Sequence, residues 1–180
     1  EGIPIKEIYK FAFSNCTDVK KINFNSNIER INDNAFEGCS NLESVILSDS
    51  LIYIGNYAFK DCTKLTLLTI PSNVNTLGNY VFEGCTTEIK WNNPTIQNLS
   101  QCFIGYKGES IVIPSSVISL DNGAFSECTF KIIWDNPKIE NLGSGFVKYK
   151  GDTLEIPNSV TSISSGAFAD CSNLKTLTIP

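Results

Sequence analysis

Cysteine is the residue in this chain best equipped for chemistry: there are seven, and no histidine. A thiolate can act as a nucleophile or metal ligand, and two thiols can close a disulfide. Six of the seven share one setting, three residues after a phenylalanine: Phe13/Cys16, Phe36/Cys39, Phe59/Cys62, Phe82/Cys85, Phe125/Cys128 and Phe168/Cys171. The lack of histidine removes the usual general base, the Ser/His and Cys/His nucleophilic pairs, and zinc sites that need imidazole. A thiolate-only metal site wants Cys-x-x-Cys spacing, whereas the closest pair here is Cys85 and Cys102. No glycine-rich phosphate loop occurs. The reading assigns no catalytic residue, no metal, no cofactor and no small-molecule substrate, and expects no enzyme activity.

The spacing instead marks a structural period. Phe103 and Phe146 complete the series, with Tyr106 and Tyr149 in the cysteine position, and the steps are 23, 23, 23, 21, 22, 21 and 22 residues. A period of this size predicts stacked coils, each covering the apolar face of the next. Equivalent cysteines one coil apart lie within bridging range, yet their Cβ vectors point the same way, and a disulfide needs them to face. A ladder of buried free thiols is therefore expected, with Cys102, at the alanine position, buried too.

Within a unit, Val45 and Leu47, or Leu68 and Ile70, alternate as in a short strand with one buried face. Pro71, Pro114, Pro157 and Pro180 follow at fixed phase and end it, because proline cannot donate the next ladder hydrogen bond. Phe and Cys at i and i+3 predict a single helical or 3₁₀ turn that points both inward. About eight coils would make a concave parallel sheet roughly 35 Å long.

A second period of 43 residues pairs Trp91-Asn92-Asn93-Pro94 with Trp134-Asp135-Asn136-Pro137, and Tyr106-Lys107-Gly108 with Tyr149-Lys150-Gly151. Residues 1–85 read as uniform 23-residue coils and 86–180 as alternating 21- and 22-residue coils, all in one solenoid domain, 1–180. Curvature is expected to change near residue 85. The tryptophans stand at strand positions that elsewhere hold Ile or Leu; core filling and ligand stacking are both open. The opening at Glu1 and the close at Thr178-Ile179-Pro180, in phase with Thr69-Ile70-Pro71, suggest a piece of a longer protein.

With 42% apolar and 18% charged residues the chain belongs to the folded class. A net charge of −5, with 14 basic residues scattered among 19 acids, argues against nucleic acid. No apolar run reaches the ~20 residues of a membrane helix, so membrane attachment would need a segment outside this sequence.

Binding candidates are the outward strand positions of the concave face: Lys20, Lys21 and Asn23; Glu43, Ser44 and Ile46; Thr66, Leu67 and Thr69; Glu88 and Lys90; Glu109 and Val112; Lys131 and Ile133; Asp152 and Glu155; Lys175 and Thr178. The clusters Asn32-Asp33-Asn34 and Asp121-Asn122 could suggest calcium but vary in phase and read as turns. Asn15-Cys16-Thr17 and Asn98-Leu99-Ser100 match glycosylation sequons.

The unit Leu154-Glu155-Ile156-Pro157-Asn158-Ser159-Val160-Thr161-Ser162-Ile163, then Ala167-Phe168-Ala169-Asp170-Cys171, resembles the Treponema-type leucine-rich repeat of BspA-like surface proteins. The resemblance spans essentially the whole chain and departs from the pattern at Cys102-Phe103 and Gly145-Phe146. It implies an α/β, right-handed leucine-rich-repeat superhelix with helical or 3₁₀ turns on its convex side. It further implies a cell-surface or secreted, non-enzymatic protein that binds a protein ligand such as a host matrix or cell-surface protein. A structural spacer that projects another domain from a cell surface is the alternative.

Overall fold

Short parallel strands, two to most coils, dominate the computed structural model, which describes residues 4–24, 27–121 and 123–180. In chain order they are β1 (Glu7–Ile8), β2 (Lys21–Asn23), β3 (Arg30–Ile31), β4 (Ser44–Ile46), β5 (Tyr53–Ile54), β6 (Leu67–Ile70) and β7 (Thr76–Leu77). Then follow β8 (Glu88–Trp91), β9 (Asn98–Leu99), β10 (Ser110–Ile113), β11 (Ser119–Leu120), β12 (Lys131–Trp134), β13 (Thr153–Glu155) and β14 (Thr176–Thr178).

The first strand of each coil joins one wall. β2 pairs with β4, β6 with β8, β10 with β12 and β13 with β14, all parallel. β4 lies beside β6, β8 beside β10 and β12 beside β13. The second strands form another wall, β1-β3-β5-β7, continued by β9-β11 and a bridge between Asn141 and Ser162. Register repeats the sequence period: Lys21 faces Ser44 and Arg30 faces Tyr53 at 23 residues, Leu67 faces Glu88 and Ser110 faces Lys131 at 21. The chain is a parallel β-solenoid of about seven turns. Eight phenylalanines bound seven complete steps, with part-coils beyond each end, which is how an expectation of eight becomes about seven.

Pro71, Pro114 and Pro157 sit just past the first strands and open the connection to the second. Each of their carbonyls accepts the N–H of a buried or half-buried valine three residues on, Val74, Val117 or Val160, at 3.0–3.2 Å.

The Ala-Phe-x-x-Cys segments were expected to be helical or 3₁₀ turns, and here the backbone differs. Among the described residues only Gln101–Phe103 is a 3₁₀ helix; the other segments are turns. Each Cys or Tyr does close an i to i+3 bond to the phenylalanine carbonyl, as in Cys39 N–H to Phe36 O at 3.2 Å. A helix cannot grow from it, because the residue two after each phenylalanine is left-handed: Asn15, Gly38, Asp61, Gly84, Gly105, Glu127, Lys148 and Asp170. The left-handed residue turns its N–H sideways, so Gly38 donates to Lys60 O at 2.8 Å and Asp61 to Glu83 O at 2.8 Å, both in the next coil. The turns thereby become a third hydrogen-bonded column and outcompete a helix, which would satisfy only itself.

Inside, the phenylalanines form one unbroken stack. Consecutive ring centroids from Phe13 to Phe168 are 5.2–6.5 Å apart, and Phe36, Phe59, Phe82, Phe103, Phe125 and Phe146 are wholly buried. Each buried ring is worth about 2 kcal/mol by transfer.

Candidate functional site

All seven cysteines are free thiols, and Cys39, Cys62, Cys85, Cys102 and Cys128 are buried. Five of the six repeat-phase thiols donate to the phenylalanine carbonyl of the preceding coil: Cys39 to Phe13 (3.1 Å), Cys62 to Phe36 (3.2 Å), Cys85 to Phe59 (2.9 Å), Cys128 to Phe103 (3.3 Å) and Cys171 to Phe146 (3.1 Å). Burial pushes the Cys85 and Cys102 thiols up to about 12, and those of Cys62 and Cys128 higher still. A thiol held protonated is neither nucleophile nor metal ligand. Among the described residues no group of three or more histidine, cysteine or acidic side chains could hold a metal ion.

The Asn32-Asp33-Asn34 cluster directs its side chains to coil contacts rather than to a common centre. Asn32 donates to Ile8 O at 3.0 Å, Asp33 Oδ1 accepts the N–H of Asn56 at 2.9 Å, and Asn34 donates to Glu37 at 2.7 Å. Asn122, of the second cluster, lies outside the described residues. Asn15 and Asn98 of the sequons are exposed.

The binding candidates fall into three rows along the first-strand wall. Lys21, Ser44 and Leu67 stand at equivalent strand positions in successive coils, with Glu88, Ser110, Lys131, Thr153 and Thr176 continuing that row. Asn23, Ile46, Thr69, Lys90, Val112, Ile133, Glu155 and Thr178 form the second. Lys20, Glu43, Thr66, Glu109, Asp152 and Lys175 sit one residue before their strands, at the wall's rim. Most are exposed; Ser44 and Val112 are half-buried. Sequence reading passed over Ser110, Thr153 and Thr176, which alternation along the strand could have placed in the first row. Glu43 and Glu109 lie at the rim, three coils apart, and Glu155 is in the second row, so these three acids make no single cluster. Ile46, Leu67 and Ile133 leave 58%, 39% and 40% of their surface in water on this wall.

The tryptophans depart from simple core filling. Ile70, Ile113 and Ile156 at the same strand position are buried, whereas Trp91 and Trp134 are half-buried, since an indole is too large for that slot. The Trp91 indole N–H donates to Val112 O, and that of Trp134 to Glu155 O, each at 2.7 Å to the next coil. What remains outside lines two grooves of about 430 and 570 Å³. They are counterparts 43 residues apart: Trp91, Asn93, Pro94, Pro114 and Ser116 in one, Trp134, Asn136, Pro137, Pro157 and Ser159 in the other.

No helix of the described residues is long and apolar enough to cross a membrane. Comparison with solved structures returns bacterial leucine-rich-repeat proteins. A Treponema pallidum leucine-rich repeat protein is similar at TM-score 0.64 and 23% identity, over 82% of this chain and 72% of that one. A leucine-rich repeat protein from Bacteroides ovatus is similar at TM-score 0.62 and 24% identity, over 96% of this chain and 58% of that one. The pneumococcal vaccine antigen PcpA is similar at TM-score 0.68 and 18% identity, over 96% of this chain and 50% of that one. The chain thus spans little more than half the length of two of these three. No curated protein matches it. The family model for the BspA type leucine-rich repeat region, in six copies, matches residues 3–99 and 95–180. This chain therefore belongs to the BspA-type leucine-rich repeat family.

Proposed function

We propose that this chain is a non-enzymatic interaction module of a cell-surface or secreted protein, which captures a protein ligand on its first-strand wall. The reading rests on one observation above all: outward side chains of successive coils line up in continuous rows, with exposed Ile46, Leu67 and Ile133 set among Lys, Glu, Asn and Thr. Such a surface offers desolvatable anchors inside a polar surround, which is the make-up of a protein interface. Membership of the family fits, because leucine-rich repeats of this kind are generally non-enzymatic and bind proteins.

The proposal takes the wall as concave and the winding as right-handed. A crossover between parallel strands of one sheet is right-handed in about 98% of cases. The chain is read as part of a longer protein, one solenoid with uniform coils to residue 85 and alternating ones beyond it. A host matrix or cell-surface protein is the proposed partner class.

Capture of soluble matrix proteins by the wild type and by a Glu43→Lys, Glu109→Lys, Glu155→Lys variant tests the reading. The variant should lose about tenfold in affinity or more, as several interface charges are reversed. Equal capture by both, with the wall positions Ile46→Asp and Ile133→Asp also neutral, would leave the chain as a spacer.

A further inference from the structure

We infer that the two tryptophan grooves are paired subsites for a linear, uncharged polysaccharide that runs along the solenoid axis. The inference goes beyond capture of a protein on the strand wall: it is carried by the two tryptophans, although the groove linings share Glu88, Lys90, Lys131, Ile133 and Glu155 with that wall.

Duplication comes first. The two grooves share a tryptophan, an asparagine and a proline in one run and a facing proline and serine, one groove at the end of β8 and one at the end of β12, while Glu88 and Lys90 of the first give way to Lys131 and Ile133 in the second. These strands are two coils apart, so the grooves repeat after about 10 Å. A surface that repeats its recognition elements at a fixed step suits a ligand that repeats its own, and a 10 Å step takes about two sugar rings of an extended chain.

The platform is rigid. Each indole is pinned by its N–H to the next coil's main chain, through Val112 O or Glu155 O, and the Trp134 ring also packs against Phe146 with centroids 6.4 Å apart. Each exposed part is a fixed, flat apolar surface with its one donor already used. The C–H face of a pyranose ring stacks on such a surface without needing that donor.

The rest of the lining selects among ligands. Glu88, Lys90 and Asp135 line the first groove and Lys131 and Glu155 the second, each with the amide of Asn93 or Asn136. Ser116 Oγ, at the first groove, is buried and has no hydrogen-bond partner. Carboxylates accept hydrogen bonds and ammonium groups donate them, so a lining of both signs suits a ligand that brings donors and acceptors and carries no net charge. A polyol does both. A proline-rich peptide also rises about 9 Å per three residues and docks on aromatic grooves, but proline has no N–H, so its carbonyls would meet the carboxylates unpaired. An acidic glycan would be repelled by the chain's net charge of −5.

The chain has only these two tryptophans, so fluorescence excited at the red edge, where its six tyrosines do not absorb, reports on the two grooves. The test titrates the intact chain with oligomers of β-1,4-linked glucose, α-1,4-linked glucose and β-1,4-linked N-acetylglucosamine, of two and of six rings, and with a ten-residue polyproline peptide, while acrylamide quenching is read. One saccharide series should shield the indoles, the six-ring oligomer binding at least tenfold tighter than the two-ring one because it engages both grooves. Trp91→Phe and Trp134→Phe should each remove that length advantage, and Asp135→Ala, a change at an exposed side chain, should weaken binding several-fold with the thermal midpoint unmoved. Quenching unchanged by all three saccharide series at millimolar concentration overturns the inference, and so does equal affinity for two and six rings. Protection by polyproline alone overturns it in favour of a peptide groove.

Discussion

The Cys62 thiol donates to the carbonyl of Phe36, 26 residues earlier, at 3.2 Å, and the same oxygen accepts the N–H of Cys39, also at 3.2 Å. One carbonyl thereby ties together the turn of its own coil and the thiol of the next. Both lone pairs are used. Cys62→Ala removes the weaker of the two bonds and some buried sulfur, and should cost about 1–2 kcal/mol, read from the denaturant midpoint at unchanged slope. Thiol titration should find the five buried cysteines silent in the native chain and all seven reactive in denaturant. A single reactive thiol in denaturant would mean three disulfides and would undo the ladder.

Alkaline pH should unfold the protein by way of these same groups. Cys85 and Cys102 titrate near 12 in the fold against a usual 9.0, and Tyr106 and Tyr149 near 12 against 10.0, in each case chiefly because burial disfavours the anion. Above pH 9 the unfolded chain releases protons that the folded chain retains, so stability is whole below pH 9 and falls as pH rises toward 12. Each thiol contributes a slope of roughly 1 kcal/mol per pH unit. Thermal midpoints measured from pH 7 to 11 should stay level to about pH 8.5 and then drop steeply, and Cys102→Ala should make the drop shallower. A flat profile to pH 11 would contradict the burial of the thiols.

The phenylalanine spacing alone was enough to read the coil stack, since a 23-residue period with a constant apolar phase has few other solutions. The turn conformation was not legible, because the left-handed residue two after each phenylalanine is Gly in three coils but Asn, Asp, Glu or Lys in the others. What selects that conformation is the neighbouring coil's carbonyl, which no single unit reveals. The groove was half legible. Trp91 and Trp134 stood out by type, but their half-burial follows from the size of the slot that Ile70 and Ile113 fill, a packing fact rather than a pattern.

Tyr106 and Tyr149 complete the two shortest coils. The backbone is cut just after Cys85 and Cys128, and the phenol of the following coil reaches over the gap, Tyr106 Oη to Thr87 O at 2.6 Å and Tyr149 Oη to Phe130 O at 3.1 Å. Gly108 and Gly151 lie against those phenols so closely that an added Cβ would overlap the ring and its oxygen. Gly108→Ala should therefore cost about 1–3 kcal/mol through overpacking. In a Tyr106→Cys background the same change should cost far less, because the obstacle is gone, and a double-mutant cycle on the two positions should show coupling of at least about 1 kcal/mol. Additive costs would mean that the tyrosine and the glycine are not partners.

Stability along a stack of this kind is carried by interfaces between neighbours, so position matters as much as chemistry. Phe59 is wholly buried between Phe36 and Phe82, at 5.5 and 6.5 Å, whereas Phe13 at the end of the stack leaves 40% of its surface in water. Phe59→Ala should cost about 3–5 kcal/mol, the range for a buried aromatic ring, and Phe13→Ala a fraction of that. Amide hydrogen exchange separates the two effects. In Phe59→Ala, protection should fall in the turn segments on both sides, including Gly38 and Asp61, which donate across adjacent coil boundaries. In Phe13→Ala the loss should stop at the first coil. A uniform loss across the whole chain in both variants would show that the coils melt as one unit rather than as coupled neighbours.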